Sequence, residues 1–133
     1  MEDLLLQIYL MSYKLNFLNG PEIVCIENEG KLNFQKAREF SEEATKLAHL
    51  NNCNKYLIDH TGTKLEHGIY KLHTDGAALE QFGFKSTDRI AIIISREKDG
   101  HYFSEKLSQE ARWCSVKYFD SNEEAVLWLN NRS

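Results

Sequence analysis

The chain has 133 residues, of which 42% are hydrophobic and 27% charged, and this length suits one domain that buries a core without metals or disulfides. Its formal net charge of −4 argues against a nucleic-acid-binding protein, because such proteins normally carry a basic face. The cysteines (Cys25, Cys53 and Cys114) are odd in number and lack metal-ligand spacing, which indicates free thiols and a cytoplasmic location.

Residues 1–12 are predicted to be an apolar extension that precedes a single domain of residues 13–133. The run from Leu4 to Met11 is apolar, but Glu2 and Asp3 stand where a signal peptide needs positive charge. The run is also too short to span a bilayer, so we expect no stable membrane insertion. It would pack on the domain or on a second copy, giving a homodimer; Met11 offers an alternative natural start.

Two strands joined by a turn are the first predicted elements of the domain. Tyr13, Leu15 and Phe17 alternate with polar residues, the period of a half-buried strand. The turn sequence Asn-Gly-Pro at residues 19–21 separates them from a second apolar run at residues 23–26. The short connection predicts an antiparallel hairpin, with residues 27–30 leaving the sheet as a polar loop.

A helix is predicted next, with Asn33 as its N-cap and its end at Asn51 and Asn52. Charged residues occupy one side, and apolar residues recur at helical spacing on the other. The apolar stripe consists of Phe34, Ala37, Phe40, Ala44, Leu47 and Ala48.

Residues 55–68 are predicted to carry the site. A buried strand at residues 56–58 is expected to stop at Asp59, followed by a polar turn through Gly62 and a helix beginning near His67. Sites in α/β domains are built at the carboxyl ends of parallel strands. The candidate binding residues are Asp59, His60, Thr61, Glu66, His67, Gly68, Tyr70 and His73. For Asp59 the simplest prediction is a carboxylate that accepts backbone N–H bonds from its own turn.

The remaining elements alternate between helix and strand. The helix after Gly68 is expected to end at Gly83, and the apolar run at residues 89–95 has the pattern of a central strand covered on both faces. A third helix around Leu107, a strand at residues 116–119 and a final helix capped by Ser121 and Glu124 complete the chain. This order predicts an α/β fold with a mixed, mostly parallel five-stranded sheet, an antiparallel N-terminal hairpin at its edge and about four helices.

The segments LIDHTG (57–62), RIAIII (89–94) and YFDSNEEAVLWL (118–129), in this order of elements, resemble STAS-domain proteins, relatives of bacterial anti-sigma-factor antagonists. More narrowly, the closing helix is similar to that of an uncharacterised STAS/SEC14-like branch. The resemblance implies a STAS-like fold over residues 13–133 and a non-enzymatic regulatory function through protein–protein binding. In that family a Ser or Thr at the start of the second helix is the phosphorylated switch.

The family's phosphorylation motif falls on residues 65–69 of this chain. Gly68 matches, but Glu66 and His67 occupy the serine positions, so the usual phosphoacceptor is replaced. Thr61 and Thr63 are the nearby hydroxyls and become the candidate phosphorylation sites. A phosphate would add about −1.5 to −2 charge near a helix N-terminus, and Glu66 would mimic part of that charge permanently.

Other functions are weighed against this one. His67 and His73 are six residues apart, not at the i, i+4 spacing of helical zinc ligands, and no nucleotide-binding, hydrolase or catalytic-cysteine motif is present. A scattered metal site and acid–base catalysis by Asp59 with His60 or His67 are the minor alternatives. We therefore expect a protein partner, no metal, no cofactor and no enzymatic activity. The second hypothesis is a small-molecule or lipid-binding protein of SEC14-like character, with an apolar pocket between the sheet and the second helix.

Overall fold

In the part of the chain that the structure describes, the sheet begins with a hairpin, and helices follow the second, third and fifth strands. The computed structural model describes residues 13–65, 76–95 and 115–131. Within these ranges the elements are β1 (Tyr13–Leu18), β2 (Ile23–Leu32), α1 (Phe34–Leu50), β3 (Lys55–Leu65), α2 (Gly76–Gln81), β4 (Arg89–Ile93), β5 (Ser115–Phe119) and α3 (Asn122–Asn130).

The five strands form one sheet in the order β1-β2-β3-β4-β5. β1 is antiparallel to β2, and every other pair is parallel. The predicted fold class, a mostly parallel five-stranded sheet with an antiparallel N-terminal hairpin at its edge, is therefore confirmed. The described residues contain three of the helices, whereas the helix predicted around Leu107 and the extension at residues 1–12 lie outside them.

Two helices begin at the predicted N-cap residues, and one ends near the predicted glycine. The Oδ1 atom of Asn33 accepts a hydrogen bond from the backbone N–H of Lys36 at 2.8 Å, and Ser121 Oγ accepts one from Glu124 N at 3.4 Å. Gly83 follows α2 with φ +106°, a conformation that favours glycine. The predicted N-caps Asn33 and Ser121 and the predicted helix end at Gly83 are confirmed. None of the helices in the described ranges is both long and apolar enough to cross a membrane.

The sheet is covered on both faces. α1 and the α2 region bury one side, where Phe40, Tyr56 and Ile92 are at most 1% exposed. α3 buries the other side against Leu57 and Ile93 among others. Because β4 contributes buried side chains to both clusters, its prediction as a strand covered on both faces is confirmed.

A cationic side chain ties α3 to the sheet. The Arg89 guanidinium lies 4.3 Å from the centre of the Trp128 ring and donates a hydrogen bond to the Trp128 carbonyl at 2.6 Å. This pairing of cation–π and hydrogen-bond contacts fixes the closing helix against the start of β4.

The predicted ends of β2 and β3 are wrong. β2 does not leave the sheet after residue 26 and β3 does not stop at Asp59, since the two strands continue in parallel to Leu32 and Leu65. The physical reason is burial: Leu32 is 0% exposed, and polar side chains between the strands and α1 are paired with one another. Residues whose local pattern resembles a turn therefore stay in the sheet.

Candidate functional site

An irregularity in the pairing of β2 with β3 shapes the candidate site. Glu27 is the register partner of Asp59, but the next aligned pair is Glu29 with Gly62. Two residues of β3, His60 and Thr61, therefore lie opposite the single residue Asn28, which is the count of a β-bulge. Bulges of this kind redirect side chains, and here the extra residue brings Thr63 onto the same face as His60, whereas Asp59, next to His60 in the strand, lies on the opposite face.

On the α1 side of the bulge, three polar side chains form a buried network. Asn28 Nδ2 donates to Thr63 Oγ1 at 2.8 Å, and that hydroxyl donates to the Asn28 carbonyl at 3.1 Å. His60 Nδ1 lies 3.1 Å from the same Oγ1. The three residues are at most 2% exposed, and the His60 ring packs 6.1 Å from that of Phe40.

Asp59 faces away from this network. Its Oδ1 atom accepts hydrogen bonds from the backbone N–H of Thr61 at 2.9 Å and from the Thr61 hydroxyl at 2.7 Å. The predicted local role of Asp59, accepting N–H bonds from the residues that follow it, is confirmed, although it does so within a continuing strand. Asp59 is half-buried and Thr61 is exposed.

The predicted site residues thus divide into separate groups. Asp59 and Thr61 are in contact and accessible, whereas His60 is buried and bonded to Thr63. Of the two candidate phosphorylation sites, Thr61 is exposed, while Thr63 is 2% exposed and its hydroxyl is engaged in the network. The other predicted binding residues, Glu66, His67, Gly68, Tyr70 and His73, lie outside the described residues.

Beside Asp59, on the face that carries α3, lies a groove of about 190 Å³. β1, β2 and β3 form its floor and the start of α3 forms one wall. Its lining combines apolar, amide, thiol and carboxylate side chains from Asn16, Leu18, Cys25, Ile26, Glu27, Leu57, Asp59, Asn122 and Val126. This volume is below the roughly 300–1,000 Å³ of pockets that enclose drug-sized ligands.

Two carboxylates give the groove a negative potential. Glu27 and Asp59 are register partners on adjacent strands and both line it. Burial, together with the negative charges of Glu27 and Asp59, raises the pKa of the Cys25 thiol to about 11. Cys25 is therefore a neutral thiol near pH 7 and not a nucleophile.

Sequence reasoning missed Glu27, Cys25 and Asn28 as site residues. Residues 27–30 were predicted to form a loop, so Glu27 had no assigned face and Asn28 no assigned partner. The alternation of Ile23, Cys25 and Glu27 is the signal that would have placed Glu27 on the groove face, since residues two apart in a strand share a face.

The described part of the chain has neither a cluster of metal-ligating side chains nor an apolar cavity large enough for a ligand. No three residues among its His, Cys, Asp and Glu side chains come together as a metal site. The space between the sheet and the α1 and α2 region, lined by Phe40, Ile58 and Leu79 among others, has a volume of about 10 Å³. That volume is about the size needed by one water molecule and far below that of an acyl chain.

The chain is similar to an uncharacterised protein of the DUF3478 family with a SpoIIAA-like fold from Shewanella loihica PV-4, with 19% identity and a TM-score of 0.48. The match covers 88% of this chain and 91% of that chain. No family model and no curated protein matches the sequence. The α/β fold itself is given by the strand order and register described above.

Proposed function

We propose that this chain is a non-enzymatic regulatory module that binds a protein partner at the surface around Glu27, Asp59 and Thr61, midway along β2 and β3. The observation that carries the proposal is that Asp59 and His60, one of the two pairs considered for acid–base chemistry, point to opposite faces of the sheet, as neighbours in a strand do. His60 is 0% exposed and Asp59 is bonded to Thr61. A general acid or base must reach the proton that it transfers, so the accessible groups here favour binding over catalysis.

The shape of this surface also favours a protein partner. The groove of about 190 Å³ is open and combines apolar walls with carboxylates and amides. It suits one or two side chains of a partner better than an enclosed small molecule. Leu18, on the edge strand β1, is 39% exposed beside it and extends the apolar part of the contact.

Thr61 provides a means of regulation within this proposal. Its exposed hydroxyl already lies 2.7 Å from Asp59 Oδ1. A phosphate on Thr61 would place about −1.5 to −2 additional charge beside Asp59 and Glu27, and like charges repel. Phosphorylation would therefore displace the Thr61–Asp59 contact and alter partner binding. The replaced serine positions, Glu66 and His67, make Thr61 the hydroxyl to examine.

The small-molecule or lipid alternative has less support from the described residues. An acyl chain or comparable ligand needs a cavity of hundreds of Å³, and the space beneath α1 is about 10 Å³. A second copy of the chain remains an admissible partner, as the apolar segment before residue 13 suggests. A cytoplasmic location, with free thiols, is part of the same proposal.

Native mass spectrometry of the tagged chain, purified from its own cells, tests this function. The expected result is a stoichiometric complex with another protein or a second copy. Thr61→Arg should abolish the complex, whereas Gln35→Arg, which adds the same side chain on the exposed side of α1, should retain it. A retained small molecule or metal, or a complex that both variants retain equally, would contradict the proposal.

A further inference from the structure

We infer that the groove receives a basic side chain, an arginine or lysine, of the protein partner. This inference rests on the proposed function and specifies the chemistry of the partner. It depends on the floor and walls of the groove and not on Thr61.

The first argument is the pairing of two like charges. Glu27 and Asp59 are register partners on adjacent parallel strands, which places their backbones about 4.8 Å apart. Like charges side by side on one face of a sheet are destabilising, so the pair costs stability unless a cation lies between them. Neither carboxylate forms an ion pair with any residue in the described ranges.

The second argument is the composition of the groove around this pair. None of the described residues that line it is Lys or Arg. Lys14 is the register partner of Glu27 on β1, but it is exposed and forms no ion pair with Glu27. The start of α3 brings the positive end of a helix dipole near Asn122, and Glu123 and Glu124 in its first turn offset that charge.

The third argument is the apolar part of the lining. Leu18, Leu57 and Val126 line the same groove as the carboxylates. An arginine or lysine buries its methylene stem against apolar surface while its charged end meets oxygen acceptors. The side-chain oxygens of Asn16 and Asn122 add neutral acceptors for the remaining N–H donors.

A divalent metal ion fits this composition less well. Magnesium and calcium take roughly six to eight oxygen ligands, whereas the described lining of the groove offers two carboxylates and two amides among apolar side chains. Asp59 Oδ1 is also occupied by two hydrogen bonds from Thr61. The groove therefore matches an organic cation with an apolar stem.

The test is an NMR titration of the ¹⁵N-labelled chain with a capped tripeptide that has arginine between two leucines. The matched probe carries citrulline, the neutral isostere of arginine, in the same position. Binding of the arginine peptide is expected with a dissociation constant on the order of 1 mM, and with amide shifts centred on Cys25, Glu27 and Asp59. The citrulline peptide should bind about tenfold more weakly, because one charge-assisted contact is lost.

Variants of the chain complete the experiment. Glu27→Gln should weaken binding of the arginine peptide about tenfold and leave binding of the citrulline peptide unchanged. Glu39→Gln, which removes the same charge from the exposed side of α1, should leave both unchanged. Equal binding of the two peptides, shifts remote from the groove, or the same shifts with magnesium or calcium chloride alone would overturn the inference.

The two proposals fail separately. If the peptides show no arginine preference but the partner complex depends on Thr61, the inference of a basic side chain is wrong and the protein-binding function is supported. If the groove binds the arginine peptide specifically but no partner complex is obtained from cells, the proposed function is contradicted instead.

Discussion

Asn28 and Thr63 exchange two hydrogen bonds across β2 and β3, although 35 residues separate them in the chain. The Asn28 amide donates to the Thr63 hydroxyl, and that hydroxyl donates to the Asn28 carbonyl. Both residues are 2% exposed, so water cannot replace either partner. This exchange holds the strands together beyond the bulge and keeps Thr61 on the surface.

We predict that Thr63→Val destabilises the fold by about 1–3 kcal/mol, because a buried amide and a buried carbonyl would each lose a partner. Thr61→Val removes the same hydroxyl from an exposed position and should change stability by less than about 0.5 kcal/mol. Urea unfolding followed by circular dichroism measures both. Equal effects of the two variants would show that the buried network does not stabilise the fold.

The carboxylate pair predicts a gain in stability when one charge is removed. Glu27→Gln should stabilise the free protein by about 0.2–1 kcal/mol, because it removes a like charge beside Asp59. The gain should shrink as salt screens the repulsion, so the comparison is made by thermal unfolding at low and high ionic strength. A loss of stability would mean that Glu27 has a favourable partner in the folded chain.

Cys25 is predicted to react slowly with alkylating reagents. Because burial and the neighbouring carboxylates raise its pKa to about 11, little thiolate is present at neutral pH. At pH 8 its reaction with iodoacetamide should be on the order of a hundredfold slower than that of a free cysteine, and the rate should keep rising toward the raised pKa. Peptide mapping after timed labelling measures this residue separately. Labelling in urea at the ordinary rate is the control, and fast labelling of the folded chain at pH 8 would contradict the prediction.

Asp88 is predicted to make stability depend on pH. Burial raises the pKa of its carboxyl above the ordinary value, against the opposing effect of the hydrogen bond accepted from Lys85 N at 2.8 Å. Because the pKa of the Asp88 carboxyl is higher in the folded state than in the unfolded state, protonation of this carboxyl favours the folded state. The stability that it contributes is fully present below the ordinary pKa and is lost as the pH rises through the folded-state pKa. Asp88→Asn keeps an acceptor for Lys85 N without the charge.

The variant should therefore be more stable than the wild type at pH 7, and the difference should disappear near the ordinary pKa of the carboxyl and below it. Urea unfolding of both proteins across this pH range is the measurement. A difference that grows toward low pH would show that the ionised carboxylate is favourable in the fold.

Much of the fold was predictable from the sequence because its signals are local. Asn33 and Ser121 cap their helices through bonds to the backbone three residues away, and these patterns are visible in a few residues of sequence. Gly83 marks a helix end for the same reason. The β-branched run of β4 identifies a strand covered on both faces without knowledge of its neighbours.

The ends of β2 and β3 were not predictable because their partners are distant. His60, Thr63 and Asn28 have the composition of a turn, and only their mutual burial keeps them in strands. The bulge then decides which predicted site residues meet. Asp59 and Thr61 were expected and are in contact, whereas the negative groove depends on Glu27, whose register partner is 32 residues further along.

The binding surface is tested most directly by hydrogen–deuterium exchange of the chain, free and in the complex purified from its own cells. Exchange is predicted to slow on binding in peptides that contain residues 13–18 and 59–63, which carry the edge strand beside the groove and the Asp59–Thr61 contact. Peptides that cover α1 should exchange at the same rate in both states. Protection confined to α1, with residues 59–63 unchanged, would contradict partner binding at the surface around Glu27, Asp59 and Thr61.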